Sequence, residues 1–127
     1  MAQYADIVEI VAPSQATPGN AVSITVRIKN TYSDAMGVMV GGALECGVSP
    51  WPGIDFPEDY ANVSGGATYS FSGSFTMPNS QVTIHAYSYW YGADGYWYFD
   101  DEMTKVVNLA ALTPQVSEFQ IVDFYKV

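Results

Sequence analysis

The stretch Ala21-Val22-Ser23-Ile24-Thr25-Val26-Arg27-Ile28-Lys29-Asn30 alternates apolar and polar side chains. A period of two places Val22, Ile24, Val26 and Ile28 on one side of an extended backbone and Ser23, Thr25, Arg27 and Lys29 on the other, the pattern of a strand with one face on a core. Pro18-Gly19-Asn20 before it is a turn signal, and Ala5 to Val11 before that is an apolar, β-branched run closed by Pro13. Two strands joined by a turn therefore open the chain. Asn30 to Asp34 reads as a polar turn, and Met36 to Cys46 as a strand weakened by Gly37, Gly41 and Gly42.

Residues 47–63 hold three prolines and no clean period, so the expectation there is a long loop with a short extended piece around Ile54 to Phe56. After Gly65-Gly66, Ala67 to Met77 alternates again, with Tyr69, Phe71, Phe75 and Met77 on one face. Gly73 lies on that face, where a bulky neighbour can fill its space. Gln81 to Tyr91 puts Val82, Ile84, Ala86, Ser88 and Trp90 on one side and Thr83, His85, Tyr87, Tyr89 and Tyr91 on the other. Gly92-Ala93-Asp94-Gly95 is a hairpin loop into Tyr96 to Leu109. Pairing Tyr91 with Tyr96 sets Trp90 opposite Trp97, Tyr89 opposite Tyr98 and Tyr87 opposite Asp100. The later apolar positions Met103, Val106, Val107 and Leu109 shift phase, which predicts a bulge near Asp100 to Glu102. No segment has a sustained helical period. The fold class is all-β, a two-sheet sandwich of about seven strands.

Two segments carry a family likeness. Ala5-Asp6-Ile7, followed by Pro18-Gly19-Asn20 and the alternating strand to Lys29-Asn30-Thr31, resembles the opening of CARDB-type immunoglobulin-like domains. Those read A-D-L, then P-G, then an alternating strand ending in K-N-T-G; Tyr32 stands here in place of the glycine. Gly65-Gly66-Ala67-Thr68-Tyr69-Ser70-Phe71 resembles the later strand entry of the same modules. The resemblance covers roughly the first 110 residues and implies an immunoglobulin-like sandwich over 1–110. Such modules occur in surface, adhesive, enzyme-accessory and viral structural proteins and are not catalysts in themselves.

Composition narrows the function classes. The 127 residues suffice for one domain with a full core. Charged residues are 13%, against about 25% in an average soluble chain. Four Lys and Arg against thirteen Asp and Glu give a net charge of −9, which phosphate backbones and anionic lipid headgroups repel. Nucleic acid and membrane are therefore not expected partners. A single cysteine forbids an intrachain disulfide, and a single histidine argues against zinc sites built from several Cys or His. The opening residues lack a basic and an apolar leader region, so the expectation is a chain made in the cytosol without a signal peptide.

The candidate binding residues are aromatic. Tyr87, Tyr89 and Tyr91 are expected to share a face with Tyr96 and Tyr98, a flat patch able to stack on sugars or on another protein, unless that face packs inside the sandwich or the C-terminal segment covers it. Trp51, Ile54 and Phe56 make the loop 50–57 too apolar for a solvated one, so they either plug the sandwich or meet a partner. Asp94, Asp100, Asp101 and Glu102, with Glu58 and Asp59 in another loop, lack the spacing of a calcium loop and read as a solvated edge or bulge. His85 has no nucleophile motif around it, and Cys46 has no basic neighbour to activate its thiol. No catalytic residue, metal ligand or cofactor is expected.

After residue 110 the sequence reads as a linker and a C-terminal strand, residues 111–127, with Phe119, Ile121 and Phe124 on an apolar strand that echoes Ala5 to Val11. Either a second module begins there or the domain ends in an extra strand, paired in its own sheet or with a neighbour's edge. The expected function is a non-enzymatic structural module that self-assembles or decorates a larger assembly, such as a phage or virus particle or a filament. The alternative is a carbohydrate-binding module with an aromatic platform. The expected partner is a second copy or a larger protein assembly reached through the C-terminal strand, with a glycan as the other possibility.

Overall fold

A computed structural model describes residues 2–110, so the expected C-terminal strand with Phe119, Ile121 and Phe124 lies outside the described residues. The strands are β1 (Ala5–Val11), β2 (Gln15–Ala16), β3 (Ala21–Asn30), β4 (Met36–Glu45), β5 (Tyr60–Val63), β6 (Thr68–Thr76), β7 (Val82–Tyr91) and β8 (Trp97–Leu109). They form a three-stranded sheet in the order β1-β3-β6 and a five-stranded sheet in the order β2-β8-β7-β4-β5. β2 runs parallel to the end of β8; the other neighbours are antiparallel. This is an all-β, two-sheet sandwich.

The alternation of β3 decides which side is inside. Val22 and Ile24 are 2% exposed, and Val26 and Ile28 not at all. They meet Val38, Val40 and Leu44 of β4, Val82, Ile84 and Ala86 of β7, Phe71 and Phe75 of β6, and Val107 of β8 in one cluster. Each such aliphatic side chain contributes roughly 1.5–3 kcal/mol by leaving water. Asn30, at the end of the same face, is fully buried. Its Nδ2 donates to the carbonyls of Asp34 and Val63, and its Oδ1 accepts from the Tyr32 amide, so its amide ties the β3–β4 turn to β5 and leaves little of it unpaired.

The loop between β4 and β5 closes one side of the sandwich. Ile54 donates its amide to Gly42, while Asp55 and Ser74 exchange a pair of backbone hydrogen bonds, so the segment stitches β4 to β6. Ile54 and Phe56 turn inward against two glycines. A methyl group at Gly73 would fall 2.6 Å from the Phe56 ring, and one at Gly42 would fall 2.8 Å from the Ile54 Cδ1. The expectation of Phe56 as a binding residue is thereby corrected: it is half-buried and fills the space of a missing side chain. The loop expected over 47–63 also ends sooner than its composition suggests. Tyr60–Val63 pairs with Met36–Met39 as a short edge strand, too brief to show a period by itself.

The phase shift in β8 has the expected cause. Ser88 pairs with Asp101 and Tyr89 with Phe99, leaving Asp100 as the extra residue of a bulge. Its carboxylate accepts hydrogen bonds from the amides of Gln3, Tyr4 and Ala5, and that of Asp101 accepts from Ile7. The bulge thus lets the five-stranded sheet hold the start of the three-stranded one. Ser88 adds a buried hydroxyl that donates to the Ala5 carbonyl at 2.6 Å.

Candidate functional site

The outward face of the five-stranded sheet is lined with rings. The parity of β7 sends His85, Tyr87, Tyr89 and Tyr91 to this side, while Val82, Ile84, Ala86 and Ser88 go to the core. The tyrosine face is the external one. Tyr91 pairs with Trp97 and Tyr89 with Phe99, one residue out of step with the register that a four-residue loop predicts. The cause is a loop of five residues, closed by the Gly92 amide donating to the Tyr96 carbonyl, with Gly95 in the left-handed region at φ 85°. Asp94 holds the loop by accepting from the Tyr96 amide and the Tyr98 hydroxyl. The tyrosine bond keeps the Asp94 carboxyl below the usual range and pushes the Tyr98 hydroxyl up.

This register corrects the expected patch. Tyr98 lies on the opposite side, stacked on Trp90 at 4.8 Å, and Tyr96 is at the loop tip, 69% exposed. Neither joins the outward tyrosines. Their places are taken by Phe99 and Trp97. Tyr89 and Phe99 meet edge to face at 5.8 Å, Tyr87 approaches Phe99 at 6.2 Å, and Tyr91 approaches Trp97 at 5.0 Å. Tyr60 from β5 meets Trp97 edge-on at 6.2 Å.

At the other end of β7 the strip continues through His85. Trp51 stacks on its ring at 4.6 Å and an interplanar angle of 29°, so the loop aromatic lies on the sheet and stays 43% exposed. His85 Nδ1 is 2.7 Å from Glu102 and Nε2 is 2.9 Å from Glu45. The hydrogen bond to Glu102 is the main reason its pKa rises, against the opposing pull of burial and with further help from Glu45. When protonated, the ring donates from both nitrogens, one to each carboxylate. Burial, with Glu102 nearby, also raises the Tyr87 hydroxyl.

Most of the acidic residues singled out in the sequence are thus absorbed into the fold, while Asp59 stays exposed. Asp94, Asp100, Asp101 and Glu102 each accept from a hydroxyl, an amide or an imidazole, and Glu58 accepts from the Tyr69 hydroxyl at 2.5 Å. Charge at these positions fixes loops, a bulge and a histidine.

Small residues of β4 shape the face. Gly37 and Gly41 lie under the rings of β7 and β8, and a methyl group on Gly37 would sit 3.0 Å from Tyr91 Cβ and 3.3 Å from the Trp97 ring. Along these rings and Tyr60 runs a shallow groove of about 600 Å³, bordered by Asp59 and Asn62. It meets a second depression of about 520 Å³, which extends to Tyr4 and Tyr32, at Gly37, Asn62 and Tyr91. Tyr60, Trp97 and Phe99 escape a reading of the sequence as binding residues. The legible signal for them is the run of Gly37, Met39, Gly41 and Ala43 at alternate positions, too small to cover a sheet face unaided.

No family model matches the chain, and no curated protein matches its sequence. Solved structures do match its fold. The CARDB domain of a Pyrococcus furiosus protein, solved in complex with two metal ions, superposes with a TM-score of 0.61 at 11% identity, over 87% of this chain and 92% of that one. The PKD domain of an M14-like peptidase from a Thermoplasmatales archaeon gives 0.52 at 14%, over 87% and 100%. A Pseudomonas fluorescens alkylpurine DNA glycosylase bound to abasic-site DNA gives 0.61 at 11%, and this chain, matched over 85% of its length, spans 31% of the glycosylase.

Proposed function

We propose that this immunoglobulin-like sandwich is a CARDB-type, non-enzymatic structural module that self-assembles or decorates a larger assembly such as a phage or virus particle or a filament. The observation that supports the reading is the outward aromatic strip, on which Phe99 is 58%, Tyr60 63% and Tyr91 46% exposed. Clustered exposed aromatics on a sheet mark contact surfaces, because rings give large apolar area with few torsions to freeze. The edge of β8 adds to it. That strand pairs with β7 along its length, but on its other side pairs only at Asn108 and Leu109, with β2. Asp100 and Asp101 shield the upper part of this edge, and the stretch from Met103 to Val107 is open to strand addition among the described residues. The partner proposed for this edge is the C-terminal segment expected from sequence as a strand, with Phe119, Ile121 and Phe124, donated by a neighbouring copy.

Light scattering on the full chain, on a chain ending at Leu109 and on the double variant Tyr89→Ser, Phe99→Ser tests the reading. Multimers in the parent that fall to stable monomers in either variant support it. A parent that stays monomeric at every concentration overturns self-assembly. A second reading, a carbohydrate-binding module, is favoured by the polar border that Asp59 and Asn62 give the groove lined by Tyr60, Tyr91 and Trp97.

A further inference from the structure

We infer that the groove lined by Tyr60 and Asn62 of β5 and by Tyr91 and Trp97 seats consecutive sugar rings of a neutral oligosaccharide. The inference deepens the carbohydrate reading and rests on it.

Three observations lead to this occupant. The first is the wall. The edge of Trp97 covers Gly37, and its ring meets Tyr91 at 5.0 Å and Tyr60 edge-on at 6.2 Å, so the three rings join into one partly exposed apolar wall along the groove. A saturated pyranose packs its C–H face against one such wall while its hydroxyls point elsewhere. The second is the border, where the exposed side chains of Asn62 and Asp59 and the Tyr60 hydroxyl supply donors and acceptors beside the apolar wall. Sugar hydroxyls need both kinds, and a purely aliphatic ligand needs neither. The third is extent and charge. The two depressions meet at Gly37, Asn62 and Tyr91 and make an open track longer than one compact group requires. A net charge of −9 repels anionic polymers. A small organic cation suits the charge but needs rings that enclose it, and this track is open along its length.

The experiment is titration of the full chain with short neutral gluco-, manno-, xylo- and galacto-oligosaccharides, followed by tryptophan fluorescence and calorimetry, in parallel with tetramethylammonium. Expected are saturable binding of at least one series, tighter for a disaccharide than for its monosaccharide and insensitive to salt. Tyr60→Ala should weaken it about tenfold, the loss of one stacking ring. Asn62→Ala should also weaken it. Tyr60 is 63% exposed, so its variant should melt like the parent, and the melting curve confirms that the loss is one of contact. If no neutral sugar binds, the carbohydrate reading itself fails. If a sugar binds but Tyr60→Ala and Asn62→Ala leave it unchanged while Trp51→Ala or Tyr89→Ala abolishes it, the reading stands and the groove is the wrong seat. Salt-sensitive binding of tetramethylammonium alone, lost in Asp59→Asn, overturns the choice of ligand.

Discussion

Glycine appears on both faces of β4 and is answered differently on each. On the core side, Gly42, together with Gly73 across the sandwich, is filled by Ile54 and Phe56 from the loop, so the gap becomes packing. On the outer side, Tyr91 and Trp97 cover Gly37 and Tyr89 covers Gly41, so rings from the neighbouring strands take the space, and a shallow groove remains beside Gly37 toward Tyr60 and Asn62. The same residue type thus makes a socket for a loop on one face and a seat for neighbouring rings on the other. The inner face is specified by volume and the outer one by surface.

Substitutions at matched positions test that contrast. The largest effect is expected for Ile84→Ala or Ile28→Ala, with a loss of ~2–5 kcal/mol in denaturant unfolding. Phe99→Ala on the outer face should change stability by less than about 0.5 kcal/mol. Equal losses would break the comparison by showing that the outer strip is core. Next is the socket. Gly73→Val should cost roughly 1–3 kcal/mol through its clash with Phe56, and adding Phe56→Ala should cost less than the sum of the two single changes. Strict additivity in that cycle would separate the loop from the glycine.

Asp100→Ala should follow at roughly 1–3 kcal/mol, since three amides lose one acceptor, with Asp100→Asn recovering part of the loss. Unchanged stability would mean that water replaces the carboxylate at no cost. The smallest effect is expected at His85. Its folded pKa lies above the ordinary imidazole value of 6.5, so protonation favours the folded state. That contribution is complete below pH 6.5 and disappears as pH rises through the folded value. Denaturation midpoints should therefore fall as pH rises from below 6.5 through the folded value, and the fall should shrink in His85→Gln. An identical pH dependence in the variant would detach His85 from Glu45 and Glu102.

Much of the inner face is legible in the sequence because strict alternation is local. Val22 to Ile28 and Val82 to Ala86 declare their side without knowledge of any partner. The bulge at Asp100 is legible for the same reason, as a break of phase in one strand, and Gly73 announces a missing volume. The outer site is less legible because it is assembled from strands distant in sequence. One extra loop residue, Tyr96, moves Phe99 and Trp97 beside the tyrosines and sends Tyr98 away, and no local pattern distinguishes the two registers. Tyr60–Val63 is too short to show a period, so its contribution to the groove depends on pairing with β4. Asn30 reads as a turn residue and is instead the buried amide on which that turn hangs. Trp51 is legible as an apolar loop residue, but its stacking on His85 follows from tertiary placement.

The clasp at Asp100 also sets an order in time. Its partners Gln3, Tyr4 and Ala5 lie 95 to 97 residues upstream, so these contacts form only after nearly the whole domain has left the ribosome. Loop closure over such a separation slows folding. Until the β7–β8 hairpin emerges, β1 can pair with β3 but has no carboxylate to receive its first amides. The N-terminal residues, made first, are therefore among the last to be fully fastened, and a nascent chain paused before residue 100 carries a first strand held by β3 alone.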